Sequence, residues 1–309
     1  MGLVVRPLRP LVQRGHGRAK QPVQAVGEDQ PMNPVVFSAS SVSAYLDCHL
    51  RWYFTYILNE QGEQSEAQRV GIAVHDYAEG VLRQMRGDGQ AVVVSEAPIE
   101  LTGVFNRDIL PTYRDPVLIE AAFQIEVNGI PFSGIIDSVD RQDIGLAWDT
   151  EDGVYIGPIQ HDPAMCKPGK CPGPMGCWCR DCEMGNHPPL RYANILRDLK
   201  TTGSRPKAGR YHFNMVGYWL GARELGHEPA IMQLDYIVRT QKPYYWPEVV
   251  AAPDDNDIEW FAATLQGAAD GVERADYKPT GVGTRVCSYC PHRLICGPFQ
   301  RYNAAQNPL

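Results

Sequence analysis

In the segment NILRDLKTTG, Asp198 and Lys200 stand two residues apart. On a β-strand that spacing puts a carboxylate and an ammonium on the same face. One of them can then hold a metal ion while the other meets a phosphate or an attacking water, although the triplet alone also fits an ordinary solvated strand. Asp137, in FSGIIDSVDR, follows Ile135 and Ile136 at the end of an apolar run. An unpaired charge buried there costs several kcal/mol unless a cation or strong donors compensate it. His75, in GIAVHDYAEG, sits at the edge of an apolar helical stripe, where it can face a cleft or pair with Glu79 one turn on.

The nine cysteines are odd in number, clustered and too few for a disulfide scaffold, so in a reducing compartment they point to metal or cluster ligation. One set is Cys287-x2-Cys290-x5-Cys296, in GTRVCSYCPHRLICGP, with a solitary Cys48 far upstream in SAYLDCHLRWYF. The other is Cys166, Cys171, Cys177, Cys179 and Cys182, in a Pro- and Gly-rich stretch flanked by His161 and His187. Those short spacings predict a loop folded around zinc in a four-ligand site, the alternative being a metal-free flexible loop.

The elements that must position these groups are legible in outline. Serines at 38, 40 and 41 offer N-caps for a helix with Val42, Tyr45, Leu46, Leu50, Tyr53 and Phe54 at helical spacing and Cys48 inside it. A second helix is expected over 66–85, carrying His75. Strands over 122–127 and 131–140 flank Asn128-Gly129, a type I′ turn signal, so Asp137 rides a hairpin. A strand at 194–200, a helix at 211–225, strands at 230–238 and 244–250 and a helix at 258–274 follow, with the Cys-rich insertion at 159–189 between hairpin and strand. In the aromatic run Trp52, Tyr53, Phe54 and Tyr56, core packing is a commoner use than base stacking.

With 309 residues, 44% of them hydrophobic, the chain can bury a sizeable core. No apolar run approaches the roughly 18 residues of a membrane span, and no secretory signal opens the chain, so a soluble cytoplasmic protein is expected. Residues 1–31 read as a disordered tail, with five basic residues before the first acid, or as a mis-called start ahead of Met32; residues 32–309 read as one domain. A presequence is opposed by Pro7 and Pro10. The net charge of -7 excludes a protein that coats nucleic acid by bulk charge but leaves room for a local groove. Arg191, Arg197, Lys200, Arg205, Lys207 and Arg210 face only Asp198 as an acid over 191–210, which suits a phosphate track or an ordinary loop.

The order GIAVHDYAEG, FSGIIDSVDR, ILRDLKTTG and YHFNMVGYWLGA resembles that of the RecB-like nucleases of the PD-(D/E)XK superfamily. Their motifs are a Gly-x3-His helix, an Asp after an apolar strand, an acidic-x-Lys strand and a Gln-x3-Tyr helix. Gly71 and His75, Asp137, Asp198 with Lys200, and Tyr218 match in turn, while Asn214 stands where Gln is usual and shortens the reach of the amide. The cysteine layout is similar to the iron-sulfur branch, which includes AddB-type nuclease domains and CRISPR-associated and phage RecB-like exonucleases. The likeness spans 38–298, interrupted by the insertion.

The resemblance implies a restriction-endonuclease-like α/β fold, a mixed central sheet flanked by helices, stapled by a 4Fe-4S cluster on Cys48, Cys287, Cys290 and Cys296, with the last three in a segment over 284–300. A zinc knuckle or unrelated thiols are the alternatives. It further implies a Mg²⁺- or Mn²⁺-dependent DNA exonuclease, acting on single strands or duplex ends in recombination, repair or CRISPR adaptation, with a helicase or integrase as partner. Asp137, Asp198, His75 and the Leu199 carbonyl would hold the metal, and Lys200 would orient or activate water and stabilise the phosphorane. Asn214, Tyr218, Arg205, Lys207 and Arg210 would contact DNA. The competing reading is a non-catalytic DNA-end-binding subunit that keeps the fold and the cluster.

Overall fold

The computed structural model describes residues 5–7, 35–60, 62, 64–88, 96–144, 149–150, 153–154, 191–209 and 211–306. Helix α1 (Ala39–Asp47) starts from a capping box in which Ser38 and Ser41 exchange backbone N–H and hydroxyl bonds. It does not run through Cys48, as the spacing predicted. Cys48 is extended, at φ -166° and ψ 115°, and the chain re-enters a helix as α2 (His49–Trp52). The break accompanies burial of Trp52, which stacks on Phe37 and Tyr277 and meets Tyr45 edge-on. That packing overrides the local period and makes the aromatic run partly core.

Helix α3 (Glu66–Arg86) is capped by Ser65 and Gln68 and ends at Gly87 in the left-handed region, φ 86°. A short helix that the periodicity did not announce, α4 (Ile99–Val104), continues through a π turn to Ile109. Strands β2 (Pro116–Val127) and β3 (Ile130–Ile144) form the expected hairpin, with Asn128 and Gly129 both at positive φ, as a type I′ turn demands. After them come β4 (Arg191–Thr202), α5 (His212–Glu224), β5 (Pro229–Val238), β6 (Tyr244–Ala251) and α6 (Asp255–Glu273). One-turn α7 (Arg285–Ser288) and α8 (Gly297–Gln306) close the described chain. Within the segment expected as a tail, Val5–Pro7 form a strand, β1, antiparallel to the end of β2.

The six strands lie side by side in chain order, antiparallel throughout except that β4 and β5 run parallel across the α5 crossover. A mixed sheet with helices on both faces results. Helices α1, α2, α5 and α6 share one core with residues of β2, β3 and β5; α3 and α4 close a second around Ile119, Leu199 and Ile237. Helix α5 lies flush on the hairpin because Gly217 and Gly221 leave room for Phe132 and Phe123; a Cβ at either would come within 3.0 Å of a ring. No helix among the described residues is long and apolar enough to cross a membrane.

Candidate active site

Strands β3 and β4 bring two distant acids together. Their ladder places Ser138 opposite Arg197, and one step further along both strands come Asp137 and Asp198. The regular pairing ends there, and the Leu199 N–H donates to Asp137 Oδ2 at 2.8 Å instead. From the other side α3 brings His75, with Nδ1 at 3.3 Å from the same oxygen. The helix can approach this closely because Gly71, one turn earlier, has no Cβ; one built there would lie 3.2 Å from the Thr201 hydroxyl.

Asp198 is 1% exposed. One of its oxygens accepts from Lys200 Nζ at 2.6 Å, so the two side chains do share a strand face. The other, Oδ2, has no hydrogen-bond partner among the described residues. Burial pushes the Asp198 carboxyl up, the Lys200 ammonium pulls it back and Asp137 adds repulsion, with a net rise to about 6. Burial alone would lower Lys200, yet Asp198 and Asp137 beside it push its ammonium above the ordinary lysine range. A buried carboxylate oxygen with nothing to accept from is costly. Hard carboxylate oxygens beside an imidazole suit a small divalent cation, and a cation would also give the buried Asp198 Oδ2 a partner.

The sequence reading missed one member. Glu120 of β2 lies with His75 and Asp137 so that one ligand atom from each falls within 4.8 Å of the others. Burial first, then Asp137, Glu79 and Asp76, push its carboxyl up to about 8. The available signal was an acid interrupting the apolar run from Val117 to Phe123.

Both carboxyls titrate above their usual range of roughly 4 in an unfolded chain. Their contribution to metal-free stability is therefore fully present below about pH 4 and is lost as pH rises through about 6 for Asp198 and about 8 for Glu120. Chelator-treated protein should melt at progressively lower temperature from about pH 5 to about pH 8.5, and saturating Mn²⁺ should remove most of that fall by replacing the proton as counter-charge. A melting temperature that climbs over this range in chelator would contradict the assignment.

Other expected residues are placed as follows. Asn214 and Tyr218 lie half-buried one turn apart on α5, and burial, then the Asp198 charge, raise the Tyr218 hydroxyl above its ordinary range. Gly134 leaves room for the Phe123 and Tyr218 rings, since a Cβ there would sit 2.7 Å from the first and 3.2 Å from the second. Arg205 is exposed with its guanidinium 3.5 Å over the Trp246 ring, and Lys207 is exposed beside it. Arg197 is no part of a phosphate track. It is 1% exposed and donates to Asp235 at 2.8 Å and 3.2 Å and to Thr112, with the Tyr113 ring 3.9 Å away. Stripping the partner from such a buried charge costs about 3–5 kcal/mol, more than one phosphate contact returns. Arg210, the Arg191 side chain and the expected zinc ligands Cys166, Cys171, Cys177, Cys179 and Cys182 fall outside the described residues.

Cys48, Cys287, Cys290 and Cys296 are free thiols that line one solvent-open pocket, with Leu50 and Phe54 among its walls. His292, 3% exposed and also in its wall, bonds to the Thr55 hydroxyl at 2.9 Å.

A family model described as the PD-(D/E)XK nuclease superfamily matches residues 36–149, the stretch that carries His75, Glu120 and Asp137. Over that stretch the chain is similar to the PD-(D/E)XK nuclease superfamily, and the acidic-x-Lys strand follows downstream of it. Among solved structures, a candidate exonuclease from Eubacterium rectale aligns at 14% identity over 89% of this chain and 90% of that one, with a TM-score of 0.47. The protein SSO0001 aligns at 13% identity over 87% of each chain, with a TM-score of 0.36. No curated protein matches.

Proposed function

We propose that the chain is a divalent-metal-dependent deoxyribonuclease that removes nucleotides from single strands or duplex ends, in recombination, repair or CRISPR adaptation. One observation carries the reading: a fully buried Asp198 spends one oxygen on Lys200 and leaves the other without a partner, one strand away from Asp137. A cation bound there would polarise the scissile phosphodiester and lower the pKa of water. Asp137, Asp198, His75 and the Leu199 carbonyl would hold it. Lys200, whose ammonium is favoured by its two acidic neighbours, would orient or activate the incoming water and stabilise the phosphorane as negative charge builds. Tyr218 keeps its proton and can donate it to a phosphate oxygen. Arg205, held over Trp246, and Lys207 would track the backbone of the strand without reading bases.

The four clustered cysteines would hold a 4Fe-4S cluster. All four line one solvent-open pocket, and thiolates are the ligand type such a cluster takes.

The test is digestion of end-labelled linear DNA and of a covalently closed single-stranded circle, with Mg²⁺, Mn²⁺ or chelator. Metal-dependent loss of the linear label with the circle intact is expected. Digestion of the circle would make the enzyme an endonuclease, and intact linear DNA with both metals would remove the nuclease reading.

A further inference from the structure

We infer that Glu120 is a metal ligand of this site, completing with His75 and Asp137 a three-residue donor set for a divalent cation of the Mn²⁺ or Mg²⁺ class. The inference rests on the nuclease reading only for the cation's use, since the donor set stands on its own geometry. The register shows how Glu120 arrives. Ile119 pairs with Ser138 and Ala121 with Ile136, so Glu120 falls opposite Asp137, and Asp137 in turn lies beside Asp198. Three carboxylates thus form a row across β2, β3 and β4.

Glu120 breaks the β2 ladder, with φ at 46° in the left-handed region where a non-glycine residue is strained, and such irregularities re-aim side chains beside active sites. Beside the break the Arg83 guanidinium donates to Glu79 at 2.7 Å and to the Ile119 carbonyl at 3.5 Å, and is thereby engaged with the helix and the backbone.

Carboxylates crowded in this way repel one another, and the row ends on a second observation that points to a cation, the Oδ2 of the 1% exposed Asp198, which has no partner among the described residues. The ligand atoms of His75, Glu120 and Asp137, all within 4.8 Å of one another, suit one ion with bonds of roughly 2.1 Å, whose opposed ligands stand about 4.2 Å apart. Two or three carboxylates and one imidazole favour Mn²⁺ over Mg²⁺.

The experiment measures Mn²⁺ affinity by titration calorimetry and by the electron paramagnetic resonance of free Mn²⁺, without DNA, on the full chain. Glu120→Gln keeps shape and removes charge; it should weaken Mn²⁺ binding by at least about 10-fold, since even partners outside the ligand shell are worth about 10- to 100-fold. Glu120→Asp should keep part of the affinity, and Glu259→Gln, exposed on α6, should leave it unchanged. If Glu120→Gln is poorly folded, the Glu120→Asp and Glu259→Gln pair carries the comparison. Affinity within about twofold of wild type in Glu120→Gln, or equal losses in Glu120→Asp and Glu259→Gln, would overturn the assignment. Wild-type protein that binds Mn²⁺ through Glu120 but leaves DNA intact would sink the nuclease reading and keep this one.

Discussion

Asp137→Asn and Asp198→Asn should each lower cleavage of end-labelled DNA by at least about 10³-fold while DNA binding stays measurable. Either change would remove a hard anionic ligand from the place where β3 and β4 present two acids together, and the loss of a single preorganised charge stabiliser already costs about 10² to 10³ in rate. Lys200→Ala falls in that lower range. Folding supplies the control. Asp198 is buried with one oxygen unpartnered, and Asp137 is pressed against His75 and a neighbouring acid. Neutralising Asp137 relieves repulsion, so chelator-treated Asp137→Asn should melt no lower than wild type, as expected where a site is kept for function at the expense of stability. An Asp137→Asn or Asp198→Asn enzyme cleaving at the wild-type rate would place the chemistry elsewhere. An Asp137→Asn protein that loses activity only because it unfolds would make that carboxylate structural.

Anaerobically purified protein should be brown, with broad absorption near ~400 nm and about four irons per chain, and Cys48→Ala or Cys287→Ala should lose colour and solubility together. The size of this effect follows from how little else holds the C-terminal segment. Beyond α6 the chain makes turns, the one-turn α7 and then α8, and Tyr289, Leu294 and Ile295 are 75%, 79% and 53% exposed. Among its described residues His292 is the one deeply buried side chain, bonded to Thr55 just after α2. A thiolate-bound cluster reaching from Cys48 to Cys287, Cys290 and Cys296 would tie that segment to the first helices. Colourless, soluble protein that holds only zinc after anaerobic preparation would defeat the cluster.

Most elements were readable because the signals that make them are local. Ser38 and Ser65 cap their helices through neighbours three residues away, Asn128-Gly129 turns its own hairpin, and the spacing of Asp198 and Lys200 puts both on one strand face. The break at Cys48 was not readable, because it depends on Trp52 being drawn among Phe37, Tyr45 and Tyr277. Helix α4 was missed for want of a long apolar period, being only six residues before its π turn.

By itself the sequence determined the residue types of the site, His75, Asp137, Asp198 and Lys200, and the hairpin, helix and strand that carry them, since capping, turn geometry and two- or four-residue spacing act within a few residues. Only the tertiary structure decided which charges meet. Glu120 comes beside His75 and Asp137 because a strained residue in β2 falls in register with Asp137, and Arg197 is withdrawn from the expected basic track because Asp235, on the neighbouring parallel strand, is buried beside it. Cys48 reaches the three late cysteines because the chain folds its ends onto one cavity. In each case the deciding energy is a charge or a thiol placed in low dielectric next to a partner far away in the chain, and no short-range pattern encodes that distance.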